Sequence, residues 1–187
     1  METILYLVRH AQSIYAEGEE RSRGLTVEGE KHAFLVKDLL ESECLDAFIS
    51  SPYERAIATI RPAAEQQNMK ITLYEDLRER AMGQFEPEAF FDAKRKLYAE
   101  KSFAFPGGES SVVAQTRAVK VIDHILSANK GKKLAIGTHG DIMTLMMQQY
   151  DSQYDYPFWA SLSMPDIYKL VFAETHLQYT IRLWPSD

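Results

Sequence analysis

The sequence predicts an α/β fold built on a largely parallel sheet, and two observations carry that expectation. Short apolar, β-rich runs at 3–8, 46–50 and 133–137 have the pattern of strands buried on both faces. Longer segments with helical periodicity lie between them, and strands that alternate with helices are joined in parallel.

The elements follow in order. Thr3-Ile4-Leu5-Tyr6-Leu7-Val8 forms the first strand and stops abruptly at Arg9-His10. A helix is expected over Val27–Glu41, where Ala33, Leu35, Val36, Leu39 and Leu40 supply an apolar stripe and Thr26 can cap the first turn. Asp46–Ser50 is the second strand. Ser51 then offers a capping hydroxyl and Pro52 a first helical residue, for a helix to about Gln67 that Pro62 ends or kinks. Lys70–Leu73 is a further strand, Tyr74–Glu86 is irregular, and Pro87–Glu100 is helical. Lys94, Arg95, Lys96 and Lys101 make a solvated basic face there, with a grip on a second anionic group as the alternative. Phe105-Pro106-Gly107-Gly108 is a strong turn, and a helix from Glu109 or Ser110 to about Ala128 follows it. After Gly131 come the strand Lys133–Gly137, a helix over His139–Tyr150, and late strands at Ile167–Phe172 and Gln178–Leu183. Met143, Met146 and Met147 read as helix packing. Tyr150, Tyr154, Tyr156, Phe158 and Trp159 read as core, with part of the stretch free to wall a pocket.

Composition narrows the function. With 187 residues, 45% hydrophobic and 26% charged, the chain is expected to form one domain over 1–187 and is too apolar for disorder. A formal charge of −6 suits a nucleic-acid backbone poorly, yet leaves room for a small anion held by a few arginines in one cleft. No apolar run approaches the roughly 20 residues a bilayer needs. The start of the chain lacks a basic n-region, so a soluble cytoplasmic protein without a membrane partner is expected. The single cysteine, Cys44, excludes an internal disulfide and a cysteine-based zinc site. A thiol phosphatase needs Cys-x5-Arg, but Ser50 stands at that spacing, so Cys44 reads as a small buried or semi-exposed residue. Oligomeric state is not legible.

Chemistry concentrates at strand ends, where open α/β sheets bind ligands. One strand ends in Arg9-His10, another in Thr138-His139-Gly140, and a third leads through Ser50-Ser51-Pro52 into a helix that carries Arg55. Two arginines and two histidines meeting there suit covalent phosphoryl transfer. A neutral imidazole attacks phosphorus, and guanidinium groups stabilise charge on the transferring oxygens. The same arginines hold the imidazole unprotonated. No metal or other cofactor is required. The departing oxygen needs a proton, and Glu79 is the expected donor because its irregular segment follows a strand. Glu75, Glu86 and Glu88 lie nearby and read as surface carboxylates.

Leu7-Val8-Arg9-His10-Ala11-Gln12-Ser13 resembles the signature of the histidine phosphatase superfamily, the phosphoglycerate-mutase-like proteins. Further likenesses follow in family order: Gly24-Leu25-Thr26 with Gly29, Ser50-Ser51-Pro52 with Arg55-Ala56 and Thr59, Leu77 with Glu79 and Gly83, Pro106–Ser110 with Arg117, and Thr138-His139-Gly140. The resemblance implies a three-layer α/β/α sandwich around a mostly parallel sheet with an antiparallel edge strand. It implies that His10 is phosphorylated on a ring nitrogen, that Arg9, Arg55 and His139 form the phosphate pocket, and that Glu79 donates the proton. Ser13 and Gly140, inside the two histidine motifs, join the phosphate-binding set. Ala11 stands where glycine is commoner. Ala16 stands where many members place a phosphate-contacting asparagine, which removes a hydrogen bond, and Arg21 and Arg23 in the adjoining loop supply compensating charge.

Within such a family mutases carry a longer insertion after the acid, whereas here only Arg80 to Phe105 fills the gap. A short lid leaves a phosphohistidine open to water, which favours hydrolysis. The expected activity is therefore a metal-independent phosphomonoesterase acting on a small phosphorylated metabolite. A phosphoglycerate mutase is the alternative, and a non-catalytic phospho-ligand or partner-binding domain is the reading from another class. His10, Glu79 and His139 together argue against the last, since binding alone needs no proton donor.

Overall fold

The computed structural model describes residues 1–185. Six strands, β1 (Glu2–Arg9), β2 (Ala47–Ser50), β3 (Ile71–Leu73), β4 (Lys133–Thr138), β5 (Asp166–Ala173) and β6 (His176–Arg182), form one sheet in the order β3-β2-β4-β1-β5-β6. The first four in that order are parallel, and β5 is antiparallel to both β1 and β6. The reversed strand therefore lies one position in from the edge, which β6 closes.

Alternation along the strands feeds two apolar layers. Leu5 and Leu7 of β1 and Leu134 and Ile136 of β4 face one way. They pack on α4 (Ser111–Ala128), α5 (Gly140–Gln148) and the short α6 (Tyr156–Ser161). Tyr6, Val8 and Ala135 face the other way, against α1 (Val27–Glu41) and α2 (Glu54–Gln66) through Val36, Leu40, Ile60 and Ala63. The result is the expected α/β/α sandwich. Met143, Met146 and Met147 are buried in the first layer, and Tyr150, Tyr154, Tyr156, Phe158 and Trp159 pack against it. Among the described residues no helix is long and apolar enough to cross a membrane.

Local signals hold at the N-termini of α1 and α4. Thr26 accepts from the Gly29 N–H (3.0 Å) and Ser110 from the Val113 N–H (3.2 Å), as N-caps do. Four expectations are corrected. Ser51 is not the N-cap of α2, which starts at Glu54 after Tyr53; its hydroxyl still accepts from the Tyr53 N–H (3.2 Å) and also bonds a histidine at the neighbouring strand end, which holds it one turn short of the helix. Pro62, expected to end or kink α2, does not end it: the helix continues to Gln66, held by the burial of Ile60, Ala63 and Ala64 on either side of the proline. Cys44 is exposed, on a left-handed turn leaving α1 (φ 52°). Lys94 lies not on a solvated face of α3 (Phe90–Ala99) but buried, because a buried carboxylate draws it in.

Two glycines explain their places in the sequence. A Cβ on Gly29 would lie 2.1 Å from the Gln12 carbonyl oxygen, so only glycine lets α1 press on the loop that leaves β1. Gly83 holds φ +84°, a left-handed conformation that side chains rarely adopt, against the Phe105–Gly108 turn. Gly29→Ala is expected to cost about 1–3 kcal/mol by overpacking, a fall in Tm of roughly 2–4 °C per kcal/mol. Gly24→Ala, whose Cβ would meet no atom within 4 Å, is the near-neutral control in the same thermal melt.

Candidate active site

The carboxyl ends of β1, β4 and β2 lie in step. Arg9 pairs with Thr138, and Ser50 with Gly137. Beyond them the His10 N–H donates to the Thr138 carbonyl and the Ser51 N–H to the Gly137 carbonyl, both at 3.0 Å. This ladder sets the His10 and His139 rings 5.4 Å apart, edge to face.

His10 is buried, and its Nδ1 lies 2.8 Å from the Ala11 carbonyl oxygen. A carbonyl only accepts, so Nδ1 carries the proton and Nε2 keeps its lone pair. Burial, followed by the Arg55, Arg9 and Arg23 guanidiniums, pushes the His10 pKa down to about 3. His139 is fully buried and bonds through Nε2 to the Ser51 hydroxyl (2.7 Å). Burial, His10 and the same arginines hold it neutral as well.

Three guanidiniums reach this point from three directions. Arg9 is anchored to the segment after α6, donating to the Leu162 and Ser163 carbonyls (2.7 and 3.1 Å). Arg55, 1% exposed in the first turn of α2, donates to the Glu20 carbonyl (2.6 Å) and carboxylate (3.2 Å). Arg23 donates to the Ser13 hydroxyl (3.1 Å) and to the same Glu20 carboxylate (3.3 Å). The Nε atoms of Arg9, Arg23 and Arg55 are buried with no hydrogen-bond partner among the described residues. Buried donors without acceptors are uncommon, and a cluster of them is built to receive an oxyanion. Thr59 ties the parts together, accepting from the Ala11 N–H (2.9 Å) and donating to the Arg55 carbonyl (2.7 Å).

Glu79 follows a short 3-10 turn (Glu75–Leu77) and reaches the N-terminus of α5. Its carboxylate accepts from the N–H groups of Arg80 (3.0 Å), Asp141 (3.1 Å) and Ile142 (3.0 Å). The two α5 residues it binds follow His139 and Gly140, and a Cβ on Gly140 would lie 3.2 Å from the Arg9 guanidinium, which places Glu79 on the same cleft. Of the other nearby carboxylates, Glu86 and Glu88 are exposed, and Glu75 forms a two-point ion pair with Arg21 (2.8 and 2.9 Å) on the surface.

The fold thus gathers Arg9, His10, Ser13, Arg23, Arg55, Glu79, His139 and Gly140. Arg21 stands apart, committed to Glu75. Sequence reasoning missed Ser51 as a partner of His139, Glu20 on the arginines, and Asp141 beside Glu79. Ser51 lies within one motif and Asp141 adjoins another, a signal that was available; nothing local marks Glu20. Among the described residues no three His, Cys, Asp or Glu side chains are grouped as metal ligands.

Comparison with known proteins matches this arrangement to one family. Residues 5–184 match the model of the histidine phosphatase superfamily (branch 1). A probable phosphoglycerate mutase, GpmB, of Yersinia enterocolitica is 27% identical over 149 residues, 73% of this chain and 69% of the relative. Among solved structures, YhfR of Bacillus stearothermophilus superposes with a TM-score of 0.79 at 22% identity over 94% of each chain. Phosphoserine phosphatase of Entamoeba histolytica, solved with 3-phosphoglyceric acid, gives 0.78 at 19% over 96% of each chain. A mycobacterial glucosyl-3-phosphoglycerate phosphatase gives 0.74 at 18% over 91% of each. Nearly the whole chain matches the family model, and it belongs to the histidine phosphatase superfamily, branch 1.

Proposed function

We propose that this protein is a metal-independent phosphomonoesterase acting on a small phosphorylated metabolite through a phosphohistidine at His10. The observation that carries the reading is a buried, neutral imidazole whose Nδ1–H is held by the Ala11 carbonyl, set among three guanidiniums with unpartnered donors. The substrate phosphoryl group takes the place of the Glu20 carboxylate on Arg55 and Arg23. His10 Nε2 attacks phosphorus, the bond from phosphorus to the leaving oxygen breaks, and Glu79 protonates that oxygen. Water then attacks the phosphohistidine and gives its proton to Glu79. The N–P bond breaks, phosphate leaves, and His10 is neutral again. Arg9, Arg55 and Arg23 stabilise the charge on the three equatorial oxygens.

Hydrolysis rather than phosphoryl return is supported by the short segment between Glu79 and α4, which holds one ten-residue helix and a 3-10 turn. A mutase activity is the second reading, and the likeness to the Yersinia protein favours it; interconversion of phosphoglycerates without release of phosphate would establish it.

Phosphate release from p-nitrophenyl phosphate in EDTA tests the main reading. The intact protein is expected to turn over, and His10→Ala to lose about 10³-fold or more in kcat while binding inorganic phosphate within about tenfold of wild type. Activity that survives the substitution excludes the mechanism. Activity that vanishes in EDTA and returns with a divalent cation excludes metal independence.

The buried neutral histidines also set a pH dependence of stability. In the unfolded chain a histidine titrates near 6.5, whereas folded His10 titrates near 3 and His139 well below its ordinary value. Above pH ~6.5 both states are neutral and no penalty arises; below it the unfolded chain alone takes up protons. Stability is therefore expected to fall from pH ~6.5 toward 3, by up to roughly 1.4 kcal/mol per pH unit for each histidine. Urea unfolding between pH 7 and 4.5 measures it, and His10→Asn should make the slope shallower.

A further inference from the structure

Beneath Glu79 lies a buried ionic cluster that the scheme above does not use. Asp141, fully buried in the first turn of α5, accepts from Arg80 Nε at 3.1 Å, from the Tyr98 hydroxyl at 2.9 Å and from the Lys94 ammonium. Arg80 also donates to the Ser111 hydroxyl (2.6 Å), which donates to the Leu97 carbonyl (2.5 Å). Arg80, Lys94 and Tyr98 are each under 5% exposed, and Lys94 is covered by the Trp159 and Phe90 rings, 5.0 and 5.6 Å away. Ion pairs this deep are weak grounds for stability, because apolar residues of similar size serve as well. Their placement gives a better reason.

The Asp141 N–H donates to Glu79 Oε2 while the Asp141 side chain grips Arg80, the next residue along. The peptide that bears Glu79 is thus held from both sides by one residue. Tyr98 and Lys94 fix the Asp141 carboxylate from α3, and Ser111 fixes Arg80 from α4. We propose that Asp141 is the positioning residue for the proton donor: its backbone orients the Glu79 carboxylate, and its side chain, through Arg80, fixes the chain that carries it. The proposal rests on the reading of Glu79 as that donor.

Leaving-group dependence separates positioning from a merely structural role. p-Nitrophenolate departs with little help from an acid, whereas phenolate needs a proton in the transition state. Intact protein, Asp141→Asn and Glu79→Gln are compared on p-nitrophenyl phosphate and phenyl phosphate. Asp141→Asn is expected to lose at least about tenfold more kcat on phenyl phosphate than on p-nitrophenyl phosphate. Inhibition by inorganic phosphate should stay within about twofold of wild type, since the phosphate pocket is untouched. A uniform loss on both substrates, with Glu79→Gln selective, overturns the proposal. A Glu79→Gln variant that shows no selectivity overturns instead the assignment of the acid, and the proposal with it. Where circular dichroism shows Asp141→Asn unfolded, Tyr98→Phe removes only the hydroxyl that Asp141 accepts. It should then show a selective loss of about threefold; a uniform loss, or none, overturns the proposal.

Discussion

β1 and β4 are paired in parallel from Ile4–Lys133 to Arg9–Thr138, and this register governs the site. Parallel neighbours end on the same side, so the residue after each strand, His10 and His139, emerges at the same level. The side-chain period in a strand is two, and a slip of one residue would turn Arg9 and the whole apolar set of β1 to the other face. Burial on both faces excludes that slip. Leu5 and Leu7 fill the layer beneath α4 and α5, while Tyr6 and Val8 fill the layer beneath α1 and α2. The precision of the two imidazoles is therefore inherited from the core.

A chain with formal charge −6 has placed three guanidiniums at one cleft, with the Glu20 carboxylate hydrogen-bonded to two of them. Burial, and after it their field, holds two imidazoles neutral, and the three buried Nε donors have no hydrogen-bond partner among the described residues. The same field disfavours His10 as a cation, so the proposed nucleophile and the proposed charge stabilisers are compatible within one electrostatic arrangement. The helix N-terminus of α5 adds its N–H groups, and Glu79 takes two of them.

Beside this cleft the Asp141 cluster reverses the usual balance of a core. Charges are buried against the loop from Arg78 to Gly83, where Asp141 of α5 pairs with Arg80 and with Lys94 of α3, and aromatic rings cover Lys94. Arg117 fixes the same loop from α4 through the Asp76 and Arg78 carbonyls (2.6 and 2.9 Å) and the Glu109 carboxylate. The segment that carries Glu79 is thereby tied to α4 through Arg117 and to α5 through Asp141.

The sequence by itself determined the strand and helix order, the apolar layers, and the positions of Arg9, His10, Arg55, Glu79 and His139, because periodicity and motif spacing are local properties. Thr26 was legible as a cap, and the helix start at Glu109 or Ser110 as a turn exit, for the same reason. Tertiary structure decided what depends on neighbours distant in the chain. Ser51 keeps a local bond from the Tyr53 N–H, yet its hydroxyl also meets a histidine 88 positions away that no local pattern announces. Lys94 had the spacing of a solvated face, yet Asp141, 47 positions on, draws it into the interior. Arg21 and Arg23 were indistinguishable as loop arginines until Glu75 held one at the surface and Ser13 and Glu20 held the other in the cleft. In each case a charge or hydroxyl has several partners open to it, and only packing selects which one is near once water is excluded.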